Sequence, residues 1–368
     1  MRDPRGQWLR NLLILPRKLQ GNSYLRFINM PKERIHYIDV AKGILILMVI
    51  YCHASLAMRV VDHPCNEYFM YGNLAFAPYL MPAFFVITGF CSNFKKPFPN
   101  FIMASIKTLV IPAITFMLLY LILGCNLDWI SIKDCGKSLI LYGGNFWFLP
   151  CLFIGRLMYY ALSCYFTGKR LALVCALFFI VGVAINPFPR QYEFWWFAHA
   201  VILMPYLGVG QYLRNRDLSF LNHYMLLSLA CVFIFVTTAL FSHIGLLKTD
   251  DSSMPMIVKQ VRGLNVTTIL PFILISLSGT FMVFAVSKKI NTNSILEYLG
   301  RNTLTLYCVQ VGVLRLIYPR IGRFVSPSDS YTICFIAFAI GFILTVVLCS
   351  AIAYIMNRKY IKILIGKF

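Results

Sequence analysis

Ile35 to Ala57, IHYIDVAKGILILMVIYCHASLA, decides how this chain is to be read. A charged lead-in, Asp39 and Lys42, gives way to an unbroken apolar run that closes on His53. The run has the roughly 20-residue length that a bilayer demands of a helix. An ionisable side chain inside such a segment is costly, and by default it marks a functional site. Lys42 and His53 stand eleven positions apart. At about 100° and 1.5 Å per residue they share nearly one helix face, roughly 16 Å apart along the axis, with Asp39 within about 40° of the same line. One helix thus offers a cation at its entrance and an imidazole about halfway down. The plainer reading is a snorkelling lysine at the interface and a structural histidine bonded to a neighbouring helix.

Composition widens the argument to the whole chain. Hydrophobic residues make up 59% of it, with mean hydropathy +0.72, well above the roughly 45–50% apolar share of soluble domains. The expectation is an all-α polytopic membrane protein with no soluble domain. Lys and Arg number 34 against 13 Asp and Glu, an excess that suits cytoplasmic loops facing anionic lipid. No basic run is interleaved with aromatics, so nucleic acid is not an expected partner. The positive charge also suits a phosphate-bearing substrate held at the cytoplasmic mouth. Most of the twelve cysteines lie in or beside apolar segments and read as small hydrophobes. Without a CxxC pair no metal site is signalled; Cys125 and Cys135 flank one outer loop and are candidates for a disulfide.

About ten segments have spanning length: 40–60, 73–93, 103–124, 145–166, 170–187, 195–213, 222–243, 265–286, 300–318 and 332–356. They form one membrane domain over 35–357, preceded by a basic cytoplasmic leader, 1–34, and followed by a basic cytoplasmic tail, 358–368. Met30 in MPKERIHYIDVAKG offers a second translation start. Lys and Arg concentrate on the side that holds both termini, so both are expected in the cytoplasm. The expected site of residence is a bacterial-type inner membrane, crossed many times.

Familiar catalytic devices are missing: GxxxxGK[ST], HExxH, GxSxG and the paired carboxylates of a glycosidase. What remains is a scatter of polar residues within or at the ends of spans, chiefly Asp39, Lys42, His53, Arg156, Glu193, His199, Glu297, Arg301 and Gln310. His53 is the best general base, because a neutral imidazole accepts a proton near pH 7. Arg156 follows FWFLPCLFIG and should face a polar interior, through substrate or through an acid such as Glu193. Glu193 with Trp195 and Trp196 reads first as an interfacial belt, and His199 as a structural histidine. Glu297 and Arg301, four apart, support each other on a helix near the cytoplasmic face.

Four stretches together resemble the acyltransferase family 3 membrane proteins, in particular the fucose 4-O-acetylase-like branch. YIDVAKGILILMVIYCHA fits that family's Arg/Lys-x10-His motif with Lys42 and His53. MPAFFVITGF is similar to its [ST]-Gly-[FY] helix through Thr88, Gly89 and Phe90. NFWFLPCLF is similar to its Trp-Phe-Leu stretch through Trp147, Phe148 and Leu149, and ILEYLGRNTLTLYCVQ to its Leu-Gly-(Lys/Arg)-Asn-(Ser/Thr)-Leu segment. Where that last segment usually closes with histidine, this chain has Gln310, which orients but cannot serve as a base. The basic pair that commonly follows the second span is matched cleanly only by Lys107, with Lys95 and Lys96 nearby.

The resemblance implies transfer of an acyl group, usually acetyl from acetyl-CoA or another acyl-CoA, onto a hydroxyl of a glycan or lipid-linked sugar. It implies His53 as general base or transient acyl carrier. Lys42, Lys95, Lys96 and Lys107 become candidates for the CoA phosphates. Asn145, Trp147, Arg156 and Gln310 are candidates for substrate or oxyanion contacts, while Asp39, Glu297 and Arg301 support the helix ends. No metal and no bound cofactor are expected. The rival is a transporter or flippase of a glycan or lipid intermediate, lining its path with the same polar residues. Such proteins often carry two related halves, and nothing in the second half repeats YIDVAKG.

Overall fold

The computed structural model describes residues 34–60, 62–123, 136, 146–185, 194–214, 216, 218–222, 230, 269–326, 328–358 and 361–366. It separates Met1–Ile35 from a compact unit, His36–Phe368; of the former only Arg34 and Ile35 are described. All regular structure among the described residues is helical.

The unit is assembled around α1, His36–Ala57, which the opening stretch encodes. A 3-10 turn, Met58–Val60, ends it, and α2, Asn66–Cys91, returns antiparallel. The direction is fixed by Tyr79 Oη to Met48 Sδ, 3.8 Å, and Asn73 Nδ2 to the Cys52 carbonyl, 3.1 Å. Next come α3, Phe98–Ser105, and α4, Ile111–Leu123, joined without a break by a π turn, Ile106–Val110. The pair α5, Phe148–Tyr165, and α6, Gly168–Ile185, is followed by α7, Phe197–Arg214. After α8, Ile269–Ile290, a short helix α9, Ser294–Arg301, lies beside the start of α1. The last two are α10, Thr303–Ile321, and α11, Tyr331–Met356.

Seven described helices are long and apolar enough to cross a membrane: α1, α2, the continuous α3–α4 run, α5, α6, α8 and α11. Two predicted spans, 195–213 and 300–318, are occupied by α7 and α10, which have the length but interrupt their apolar runs with polar residues. The predicted span 222–243 lies outside the described residues, as do Cys125 and Cys135. Leu173, Leu177 and Ile180 on α6, and Ile336, Ile340 and Ile343 on α11, stay exposed. That outward apolar stripe is what lipid contact requires.

Lipid is as apolar as leucine, so such helices cohere through close packing and internal polar bonds. Two reciprocal glycine contacts supply the closest approaches. A Cβ on Gly43 of α1 would collide with the Leu296 carbonyl of α9, and one on Gly300 of α9 with the Asp39 carbonyl of α1. Likewise, Gly89 of α2 faces the Leu207 carbonyl of α7, and Gly210 of α7 faces the Val86 carbonyl of α2. Gly43, Gly89 and Gly300 all lie within the four stretches quoted above.

At the far end of α1, Cys65 and Cys334 are joined in a disulfide, pinning the start of α2 to the start of α11. This corrects the reading of Cys334 as a small hydrophobe; a partner 269 residues away is invisible to local spacing. His63 sits beside the bridge with both ring nitrogens used. Nδ1 accepts from the Cys65 N–H at 3.0 Å, so Nε2 carries the proton and donates to the Asp329 carbonyl, also at 3.0 Å.

Candidate active site

Polar residues gather at two levels of α1. At its start, α9 is held against it by the glycine contacts, and this brings five charged or titratable side chains together. Lys42 Nζ lies 3.4 Å from Asp39 Oδ1, and Arg301 Nε lies 3.9 Å from Asp39 Oδ2. Arg301 Nη2 donates to Glu297 Oε2 at 2.6 Å, and His36 Nδ1 approaches the same oxygen at 3.1 Å. The hydrogen bond from His36 and then that from Arg301 hold the Glu297 carboxyl below its ordinary range. Lys42 is therefore one member of a balanced ion network rather than a lone cation at the entrance. Asn302 closes the same end: its Nδ2 bonds the Tyr298 carbonyl, and its Oδ1 accepts from Asn357 Nδ2 at 2.7 Å.

His53 occupies the other level. The helix starts at His36 and ends at Ala57, so His53 stands near its far end, not halfway along as the 40–60 boundary implied. Its Nδ1 lies 2.9 Å from the Val49 carbonyl. A carbonyl only accepts, so Nδ1 carries the proton and Nε2 keeps its lone pair. Beside it Asn73 bonds the Cys52 carbonyl and the Ser55 hydroxyl, fixing this turn of α1 against α2. His53 lines a cavity of about 220 Å³ with Ala57, Val311, Leu314, Arg315, Tyr318 and Pro319. The last five come from one face of α10.

Just before that face, α10 is disturbed. Tyr120 Oη of α4 accepts from the Gly312 N–H at 2.6 Å and lies 3.0 Å from the Cys308 carbonyl, to which it donates. A hydroxyl has entered the i to i−4 ladder, a recognised cause of helix bending. Gln310 lies within this interrupted turn. It is fully buried, and neither amide atom has a hydrogen-bond partner among the described residues. A buried amide left in that state is expensive.

The remaining predicted site residues spread over the bundle. Arg156 of α5 lies with its guanidinium carbon 5.3 Å from the Phe101 ring centroid, a cation–π contact. Lys95 and Lys96 follow α2 on the side where α1 begins, where Tyr160 Oη donates to the Lys96 carbonyl at 2.9 Å. Lys107 is in the π turn between α3 and α4. Trp147 is buried against Trp196, ring centroids 5.4 Å apart, and against His199 at 6.1 Å, making an aromatic cluster apart from the His53 cavity. Asn145 and Glu193 lie outside the described residues. Sequence reasoning passes over Arg315 and Tyr318. Their signal is the spacing Val311, Leu314, Arg315, Tyr318, an i, i+3, i+4, i+7 face that carries a cation within an apolar helix.

A bundle of membrane-length helices with ionisable groups held inside it defines a multi-pass membrane protein with a polar interior site. The family model described as an acyltransferase domain, Acyl_transf_3, matches residues 35–354. The chain belongs to that family and is a membrane acyltransferase. No curated protein and no solved structure matches it.

Proposed function

We propose that the protein is an O-acyltransferase that moves acetyl, or another short acyl group, from acyl-CoA onto a hydroxyl of a glycan or lipid-linked sugar. One observation carries this reading. His53 Nδ1 is committed to the Val49 carbonyl, which leaves Nε2 basic in a side chain that lines a cavity. A sugar hydroxyl is a weak nucleophile until a base takes its proton. In the direct route, Nε2 accepts that proton as the hydroxyl oxygen bonds to the thioester carbonyl carbon. The C–S bond then breaks, and the departing CoA sulfur takes the proton from the imidazolium. In the relay route, Nε2 attacks the thioester and CoA leaves as the thiolate; the hydroxyl oxygen then takes the acyl group from the imidazole as the N–acyl bond breaks, and its proton passes to the thiolate. Both routes end with an ester, free CoA and neutral His53.

In this reading the side where α1 begins is cytoplasmic and receives the donor. Lys95, Lys96 and Lys107 add positive charge there for the CoA phosphates. Lys42 with Asp39, Glu297 and Arg301 shapes the mouth. The roughly 16 Å of helix between Lys42 and His53 is a length that the extended arm of CoA spans from phosphates to thioester. Buried Gln310 and half-buried Arg156 are polar groups offered to the substrates. The Cys65–Cys334 bridge then faces the outer, oxidising compartment in which disulfides persist.

The test compares glycan O-acylation in cells carrying wild type, His53→Ala or Lys42→Ala at matched membrane levels. The expected result is loss of acyl groups with His53→Ala and a raised donor KM with Lys42→Ala. Undiminished acylation with His53→Ala would overturn the assignment of His53. A deletion that changes glycan export but never its acyl content would favour a transporter.

A further inference from the structure

We propose that the acceptor presents an anionic group next to the hydroxyl that is acylated, and that Arg315 is the residue that selects it. The inference rests on the acyl-transfer reading above and names the substrate class for that same cavity. Its walls are Ala57, Val311, Leu314, Pro319 and the ring of Tyr318, all apolar, with two polar side chains among them: His53 and Arg315. Arg315 is the only permanent charge in this lining, and no carboxylate pairs with it among the described residues. Arg315 is exposed, so its guanidinium stands at the mouth of this apolar cavity, where an anion entering would meet it. Its planar fork matches the two oxygens of a carboxylate or phosphate.

Tyr318, one turn further along α10, is 1% exposed, and its hydroxyl has no hydrogen-bond partner among the described residues. That hydroxyl lies toward Gly341 of α11, so the ring of Tyr318 lines the cavity while its oxygen does not open onto it. The volume limits what enters. About 220 Å³ is below the roughly 300–1,000 Å³ of a complete ligand pocket, so one sugar or one headgroup fits while the rest of the acceptor stays outside. The location separates this anion from the donor's phosphates. Arg315 belongs to the His53 level, whereas Lys42, Arg301 and Asp39 meet at the opposite end of α1. The anion has two sources of the same chemistry: an acidic or phosphorylated sugar, or the phosphate of a membrane lipid.

The experiment uses the full-length protein in phosphatidylcholine nanodiscs, as wild type, Arg315→Gln and Arg315→Lys. Probes are glucuronate and glucose 6-phosphate against glucose. Thermal stabilisation by each probe is read first, then transfer of labelled acetyl from acetyl-CoA. Wild type should bind and use the anionic sugars at least about tenfold better than glucose, equivalent to roughly 1.4 kcal/mol. Arg315→Gln should bring that ratio close to one, and Arg315→Lys should restore part of it. A second set of discs contains phosphatidylglycerol. Anionic lipid that blocks glucuronate in wild type but not in Arg315→Gln identifies the lipid phosphate as the natural occupant and supports the site.

A wild type that treats glucose and glucuronate alike, or a preference that survives Arg315→Gln, overturns the proposal while acyl transfer stands. Binding of anions that depends on Arg315, with no acetyl moved to any probe, supports the site and counts against the transfer reading.

Discussion

Gly300→Ala tests the contact on which the start of the site depends. A Cβ there meets the Asp39 carbonyl oxygen and carbon and the Gly43 nitrogen, all backbone atoms of α1. Backbone cannot rotate away, so α9 must retreat by about 1 Å or more to restore an ordinary separation of roughly 3.5 Å. The Arg301–Asp39 pair, already at 3.9 Å, would be lost, and the His36–Glu297 contact at 3.1 Å stretched. Overpacking costs about 1–3 kcal/mol. Alanine recovers less than its full advantage of about 0.8–1 kcal/mol over glycine, because Gly300 sits in the last turn of α9. The net loss is about 1–2 kcal/mol, a drop of roughly 2–8 °C in the melting midpoint.

The assay is the monodisperse fraction surviving a temperature series in detergent, followed by size-exclusion chromatography. Gly155→Ala is the comparison. Its nearest obstacle is the edge of the Phe85 ring at 2.8 Å, and nothing else stands within 3.4 Å, so a small ring rotation admits the methyl. Its effect should stay under about 1 kcal/mol. If Gly300→Ala is no less stable than Gly155→Ala, the backbones of α1 and α9 do not touch as described.

Two further outcomes follow from other parts of the fold. Cys65→Ser or Cys334→Ser, or reduction of the bridge, should lower stability by about 2–4 kcal/mol. In unreduced protein, mass spectrometry should find the peptides linked while exposed Cys91 is alkylated; alkylation of Cys65 and Cys334 without reductant would remove the bridge from the fold. Glu297 gives a pH dependence whose sign is set by its depressed folded pKa, below the ordinary 4.5. Its stabilising contribution is complete above that value and disappears as pH falls through the folded value. Acid should therefore loosen the α1–α9 end, and Glu297→Gln should be less stable at neutral pH but flatter in its acid response. An acid profile identical to wild type in Glu297→Gln would refute the assignment.

The elements most easily read in the sequence are those that touch lipid. α6 and α11, the least buried of the seven apolar helices, announce themselves because their outward faces add apolar residues to an already apolar inner face. α7 and α10 are harder to recognise for the converse reason. His199, Gln211 and Arg214 interrupt the former, and Gln310, Arg315 and Arg320 the latter. A helix shielded by others can keep polar residues that a lipid-facing one cannot, as fully buried Gln310 does, whereas Arg315 and Arg320 lie on the exposed side of α10. α7 shows this directly, with buried residues along its whole length, from Ala198 to Leu213.

The same logic explains what spacing found and missed. Lys42, His53, Glu297 and Arg301 were legible because each pair sits on one helix, where a fixed rise and rotation relate the side chains. The Glu297–Arg301 pair at 2.6 Å is a local fact of i, i+4 geometry. The relation of Arg315 to His53 is not local. It depends on α10 lying against α1, which follows from helix packing some 260 residues of chain apart. So does the union of Asp39 with Arg301, which Gly43 and Gly300 permit by letting two backbones meet. The quoted motifs nevertheless contain those glycines. Read physically, the glycine of Leu-Gly-Arg-Asn serves to bring Arg301 to Asp39 rather than to make the chain flexible. Its replacement by any residue with a side chain should act on that pairing before it acts on the helix that carries it.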